Sequence, residues 1–284
     1  MKQLAVLVDL STLMYRSYYS KQDKHNPVAI KTLKYILNII ESYQPVFLVL
    51  VLDAPRNEIY RKKLDPKYKG DRKHSPEAIT EGLKTILEFS EMFNIKSVLV
   101  DGNEADDVIA SLVIKLEKEG VHNLVVTSDA DLVQLHSKKT KIAVPTRNSI
   151  RILRTWKQVQ EQFSNKVVVD KPEQLRDYLA IVSDKSDGIE GIKGIGKVNG
   201  KRLIDKYGSV REMFASDEEL PFNLREHENK IYKNRNLVKL YSKLEVPAKK
   251  ELTYGKFDYH KALEWMDSHG LAEQLFNNII DIDF

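Results

Sequence analysis

The residues with chemistry to offer are acids, and they come in tight groups. Glu104, Asp106 and Asp107 fall within four consecutive positions, Asp129 and Asp131 form a D-x-D pair, and Asp184 and Asp187 stand three residues apart. Asp9 and Asp53 each close a short apolar run. One side chain suffices to cap a helix start, so three acids in four residues exceed what a helix end requires. A D-x-D at a strand–helix junction can aim two carboxylates at one cation, and an i, i+3 spacing puts two on one side of a turn. These nine acids include no histidine among them. An all-oxygen donor set suits Mg²⁺ or Mn²⁺ and not zinc. Nine carboxylates exceed the needs of one Mg²⁺, which keeps several waters; two ions about 4 Å apart, with some acids acting through water, fit better. Such a pair serves in-line displacement at phosphorus, one ion activating the attacking water and the other neutralising the leaving oxygen.

The cations are also clustered. Residues 61–73 carry seven (Arg61, Lys62, Lys63, Lys67, Lys69, Arg72 and Lys73) against Asp65 and Asp71. Residues 193–211 carry six against Asp205 alone. Each cluster exceeds the net charge of +4 for the whole chain, and together they fit a polyanion held over the acids. The absence of cysteine excludes disulfides, Cys-ligated zinc and thiol nucleophiles. The longest apolar run, residues 46–52, is far short of the ~20 residues of a membrane span, so no membrane is expected as a partner. The N-terminus reaches an Asp by position 9 with no long apolar region before it, which argues against a signal peptide and for a cytoplasmic location.

The acids need elements to position them. Apolar runs at 4–9, 46–53, 97–101 and 124–129 alternate with helical patterns at 27–43, 76–93 and 104–119. This predicts an α/β fold with a mostly parallel central sheet covered by helices. Such a sheet opens its site beyond the carboxyl ends of the strands, where Asp9, Asp53, Asp101 and Asp129 all fall. The 284 residues suggest about two domains. The boundary reads as a core over 1–165 and a helical region over 166–284, where the pattern turns to short helices, glycines and basic residues. Gly191 to Lys197 fits the start of a P-loop, but Val198 replaces the magnesium-binding hydroxyl and no strand precedes it. A helix–hairpin–helix over about 172–207 fits better, with helices at 175–182 and 197–207 around a turn at 187–196. Gly194 and Gly196 let the backbone approach a phosphate, amides opening the second helix bind it, and Lys197 and Lys201 add charge. Such a unit holds a duplex backbone without reading sequence.

Six pieces in order, Val8-Asp9, Leu52-Asp53, Tyr68-Lys69-Gly70-Asp71-Arg72, Glu104-Ala105-Asp106-Asp107, Ser128-Asp129-Ala130-Asp131 and the run from Ser183-Asp184 to Gly196, resemble the 5′-nuclease superfamily. This superfamily comprises flap endonucleases and the 5′→3′ exonuclease domains of bacterial DNA polymerases. The chain is most like the stand-alone flap endonucleases of T5-like bacteriophages. The resemblance implies a PIN-like core with a helical arch at about 55–90. It implies that Asp9, Asp53, Glu104, Asp106 and Asp107 serve one Mg²⁺ (or Mn²⁺), and Asp129, Asp131, Asp184 and Asp187 a second. Asp106 and Asp129 would be central to catalysis, with Lys69 and Arg72 as arch cations at the scissile phosphate. Tyr68 would stack on a base, and Arg16 matches an arginine near the active site. A K⁺ ion at the hairpin would take carbonyls from Val182, Glu190, Ile192 and Ile195. Two departures stand out: Gly188 replaces the usual Asn after the last motif Asp, and Val198 and Asn199 replace two basic residues of the phage enzymes. The expected activity is a structure-specific 5′-nuclease acting on DNA with a 5′ flap or a 5′ single-strand/duplex junction in replication or repair. A monomer is expected, working beside replication proteins, in the host cytoplasm if phage-encoded. A non-catalytic DNA-junction binder and a PIN-type ribonuclease are the alternatives.

Overall fold

The computed structural model describes residues 3–20, 27–71, 75–147 and 149–271. β1 (Leu4–Asp9) runs directly into α1 (Leu10–Tyr19), and α2 (Pro27–Tyr43) brings the chain back to β2 (Phe47–Val51). α3 (Arg61–Leu64) and α4 (Glu77–Met92) precede β3 (Lys96–Val98), and α5 (Ala105–Lys118) connects it to β4 (His122–Val126). β5 (Thr140–Pro145) and β6 (Ile150–Leu153) complete a sheet ordered β3-β2-β1-β4-β5-β6. Neighbouring strands are parallel except β6, which returns antiparallel to β5. The strand order reverses between β1 and β4, the switch point at which a doubly wound sheet opens a crevice. The register sets Asp9 beside Val51 and Val8 beside both Leu50 and Val126. Asp9, Asp53 and Asp129 therefore leave three adjacent strands at nearly the same height.

Alternate residues of each strand face opposite layers. Val6, Val8, Leu48 and Leu50 bury against α1, α2 and α4, through residues such as Leu13, Ile36 and Phe89. Leu7, Val49, Val51 and Val125 bury against Val108, Ile109 and Leu112 of α5. On that second face the same cluster continues into the remaining helices: α6 (Trp156–Gln162), α7 (Leu175–Val182), α8 (Lys197–Tyr207), α9 (Val210–Ala215) and α10 (Glu228–Val238). α11 (Tyr259–Ser268) crosses back to the first face, where the Trp265 ring meets Phe89 edge-on at 5.3 Å.

α4, within the stretch expected to form an arch, packs into the first-face cluster with Ile79, Ile86 and Phe89 buried. The two helices of the hairpin unit have the expected bounds. The turn between them is fastened to the end of α7 at Gly191, where a Cβ would stand 1.9 Å from the Val182 carbonyl oxygen, so only glycine fits.

Candidate active site

Asp9 is both the last residue of β1 and the N-cap of α1, accepting from the Thr12 amide at 3.2 Å. The hydroxyls of Ser11 (2.8 Å), Thr12 (2.6 Å) and Thr127 (2.8 Å) also donate to it. Its carboxyl is nonetheless pushed up from the usual range, by burial first and then by the charge of Asp53. Asp53 is exposed, and its Oδ1 accepts from the Ala105 amide at 2.9 Å. That bond fastens the end of the β2 strand to the first turn of α5, favourable for an acid at a helix N-terminus. Asp106 sits close behind, held well above the carboxylate range by burial and by Asp129. Asp129 is oriented from two sides. Its Oδ1 accepts from the Asp131 amide at 2.8 Å, and its own amide donates to Thr127 Oγ1 at 2.9 Å. Thr127 thus ties Asp9 to Asp129 across the switch point. Asp101, beyond the end of β3, is exposed.

A second group lies where the hairpin unit meets the sheet. Asp131, Asp184 and Asp187 each offer a carboxylate oxygen within 4.8 Å of the others, and all three are buried. Asp131 opens the 3₁₀ turn Asp131–Leu135, and Asp184 caps the 3₁₀ turn Lys185–Asp187 through the Ser186 amide. The Lys166 ammonium reaches both, at 2.9 Å from Asp131 and 2.6 Å from Asp184. Burial and the nearby Asp129 push the Asp131 carboxyl up to about 8. Burial works the same way on Asp184, but Lys166 and Ser186 outweigh it and hold that carboxyl below its usual value.

Between the groups stands Lys69, in a left-handed backbone conformation (φ 49°) with its ammonium 2.5 Å from Glu104 and 3.4 Å from Asp187. Its amide donates to the Asp187 carbonyl at 3.0 Å, and Gly188 packs so closely that a Cβ there would lie 3.2 Å from the Lys67 carbonyl oxygen. Glycine at 188 thus spares a tight contact where the backbone at residues 67–69 meets the hairpin unit.

Three expectations need correction. Tyr68 does not offer its ring to a base: it is 3% exposed, and its hydroxyl donates to Asp187 at 2.9 Å and to Glu104 at 3.2 Å. Burying the ring is favourable once the hydroxyl has partners. Asp107 does not join the other acids. Both its oxygens accept from the Arg61 guanidinium, at 2.5 and 2.7 Å, and Oδ1 also takes the Tyr241 amide at 2.7 Å. Helix geometry is the reason, because residues three apart share a face and adjacent residues do not. Asp107 therefore lies on the side of Glu104, and Asp106 turns the other way. Finally, the cations of 61–73 do not all face outward. Arg61 is 2% exposed, bridging Asp107 and Glu104. Glu104, which burial alone would push up, is held below its usual value by Lys69 and Arg61.

Arg16 is exposed near the carboxyl edge, donating to Tyr35 Oη and to the Thr146 carbonyl, each at 3.1 Å. Gly196 caps α8 and Lys197 begins it, both exposed. Lys201 pairs with Asp205 at 2.7 Å and with Asp170 at 3.2 Å, so much of its charge is spent locally. Of the carbonyls expected to hold K⁺, that of Glu190 accepts from Asn234 at 2.7 Å and that of Ile192 from the Ile195 amide at 3.0 Å. Arg72 lies outside the described residues. Sequence reasoning missed Thr127, Lys166 and the inward role of Arg61. Only Thr127 carried a local signal, as a hydroxyl two residues before Asp129.

These shifts fix a pH dependence. Asp9, Asp106, Asp107 and Asp131 have raised carboxyls. A carboxyl raised on folding stabilises the fold below its ordinary value of about 4 and loses that contribution as pH climbs through the raised one. Glu104 and Asp184, held low, act oppositely, their contribution disappearing only in acid. In EDTA the urea midpoint should therefore be higher at pH 6 than at pH 9, falling as Asp131 ionises near 8, and added Mg²⁺ should narrow the gap. Equal midpoints at the two pH values in EDTA would contradict the burial of these acids.

Acids converge on the switch point of a doubly wound sheet, beside a hairpin unit that contributes two more. Residues 4–171 match the family model for the 5'-3' exonuclease N-terminal resolvase-like domain, and residues 170–260 that for the 5'-3' exonuclease C-terminal SAM fold. A 5'-3' exonuclease of Aquifex aeolicus is 31% identical over 261 residues, covering 88% of this chain and 86% of that protein. The thermostable DNA polymerase I of Thermus thermophilus is 32% identical over 231 residues, covering 79% of this chain and 26% of the polymerase. The chain thus spans about a quarter of that relative's length. Among solved structures, the T5 D15 protein co-crystallised with metal ions superposes with a TM-score of 0.70 at 20% identity, covering 98% of this chain and 99% of that one. The catalytic core of Rad2 in complex with DNA superposes at 0.57 with 15% identity, covering 100% and 93%. The chain belongs to the 5'-3' exonuclease family.

Proposed function

We infer that the chain hydrolyses DNA phosphodiesters near junctions of duplex and 5′ single strand, as a flap endonuclease and 5′→3′ exonuclease using two divalent ions. The observation that carries this reading is the sharing of one acid cluster between the sheet and the hairpin unit, Asp131 from the first and Asp184 and Asp187 from the second. A duplex gripped by the hairpin would be set against the reacting centre by the same residues that build it. The donor set fits divalent ions. Its members are all oxygens, and apart from the Lys166 ammonium, Asp131 Oδ1 and Asp184 Oδ2 face no hydrogen-bond donor among the described residues. Asp9, Asp53, Glu104 and Asp106 would hold one Mg²⁺ or Mn²⁺, and Asp129, Asp131, Asp184 and Asp187 the other; Glu104 gives Arg61 only Oε2, whereas both oxygens of Asp107 are taken by that guanidinium. When bound, such ions supply an activated water and neutralise the leaving oxygen. Lys69, poised between Glu104 and Asp187, places a positive charge where phosphate charge develops, and Arg72 is proposed beside it. Arg16, Gly194, Gly196, Lys197 and, less strongly, Lys201 would steady the DNA backbone. A K⁺ at the hairpin would compete with Asn234 for the Glu190 carbonyl. No helix among the described residues is long and apolar enough to cross a membrane.

A labelled 5′-flap duplex and a matched RNA, each with and without Mg²⁺, test the reading. The flap should be cut only with Mg²⁺, leaving a 5′-phosphate. Retention of the flap without turnover in Mg²⁺ or Mn²⁺ would mark a junction-binding protein, and preferential cutting of the RNA a PIN-type ribonuclease.

A further inference from the structure

Lys166 stands where the second acid group most needs a cation. Its ammonium lies 2.9 Å from Asp131 Oδ1 and 2.6 Å from Asp184 Oδ2, oxygens with no other donor among the described residues. The backbone there is pinned: the amides of Lys166 and Val167 both donate to the Phe163 carbonyl, at 2.9 and 2.8 Å. Val167 and Val169 are buried, and the Trp156 indole donates to the Val169 carbonyl at 3.0 Å. The lysine is thus held at its base while its side chain, 22% exposed, reaches the two acids. Lys69 faces the third acid, Asp187, at 3.4 Å.

We propose that Lys166 is the resident counter-cation of this group: its ammonium competes with a divalent ion for Asp131 and Asp184 and so sets how much free metal the protein needs to fill the second position. The inference rests on the two-ion reading above. Oxygens turned to an ammonium at 2.6–2.9 Å are not free to close on a divalent ion. Holding a single and a double positive charge within a few ångströms of each other in a partly buried place is strongly repulsive. The ion must therefore displace the ammonium, and its affinity is reduced by what that displacement costs. In exchange, the metal-free acids are kept from repelling one another.

The test measures Mn²⁺ binding to the full chain without DNA, from the electron paramagnetic resonance signal of free Mn²⁺, together with thermal midpoints in EDTA and in Mn²⁺. Lys166→Met should tighten the weaker Mn²⁺ constant by about ten-fold or more. It should also lower the midpoint in EDTA and enlarge the rise on adding Mn²⁺. Lys166→Arg, which keeps the charge, should stay near the parent constant. Lys166→Gln reports the same constant should the methionine variant fail to fold. An unchanged weaker constant in folded Lys166→Met or Lys166→Gln overturns the proposal while leaving the two-ion reading intact. Binding of one Mn²⁺ only, in parent and variants alike, overturns both.

Discussion

Replacing Arg61 with methionine is expected to cost the fold about 3–5 kcal/mol, the range for removing one partner of a buried ion pair. The guanidinium is the meeting point of three parts of the chain. It donates to Glu104 and twice to Asp107 in α5, and to the carbonyls of Leu237 (2.8 Å) and Lys239 (2.8 Å) at the end of α10. Without it, Asp107 is left buried with only the Tyr241 amide, and two carbonyls lose their donor. Glu104 keeps Lys69 and Tyr68, so Asp107 should dominate the loss. Arg61→Lys should recover only a minor part, because one ammonium cannot serve the geometry of a planar fork. The double variant Arg61→Met/Asp107→Leu should recover most of it, since an apolar pair of similar volume avoids stranding a charge. Urea denaturation at pH 7 reads all three. A loss below about 1 kcal/mol for Arg61→Met would show that the site does not depend on this clasp.

The same residue shows where sequence reading stopped. Patterning located four of the five parallel strands and set α2, α7 and α8 at their observed bounds, α2 through its long apolar periodicity and α8 between Gly196 and Gly208. β5 and β6 escaped: β6 has four residues with Arg151 exposed among them, too short a run for alternation to stand out. The acids were legible as a type, since burying so many together is unfavourable without a function. Their division was not, except at one point where it should have been. A helical reading of residues 104–107 separates Asp106 from Asp107 by one step around the axis, and the structure follows that separation. Cations were the least legible. Arg61 pairs with acids 43 and 46 residues away, and Lys166 with Asp131 and Asp184. A local count of charge cannot tell an inward cation from one awaiting a polyanion. Tyr68 was misjudged for the same reason. Set in a run of lysines it resembles an exposed ring, yet its hydroxyl closes the gap between Glu104 and Asp187.

Asp106→Asn and Asp129→Asn should each cut single-turnover flap cleavage in Mg²⁺ by on the order of 10³-fold, the size of effect expected when one preorganised electrostatic element is lost. Flap binding in Ca²⁺ should be little changed. The stability of the same variants separates this loss from misfolding. Burial and the charge of Asp129 hold the Asp106 carboxyl up, so the two acids repel each other when no ion stands between them. Removing either charge relieves that repulsion, and in EDTA both variants should be at least as stable as the parent. Asp107→Asn should behave in the opposite way. Burial pushes the Asp107 carboxyl up, but its two oxygens receive the buried Arg61 fork and the Tyr241 amide; asparagine offers one oxygen and leaves the guanidinium short of a partner, so stability should fall by roughly 1–3 kcal/mol while the folded fraction retains most of its cleavage rate. The contrast tests the partition of α5 into a reacting side and a structural side. Equal activity losses in Asp106→Asn and Asp107→Asn, with both proteins fully folded, would mean that the Arg61 clasp opens during catalysis and that Asp107 belongs with the metal-holding acids after all.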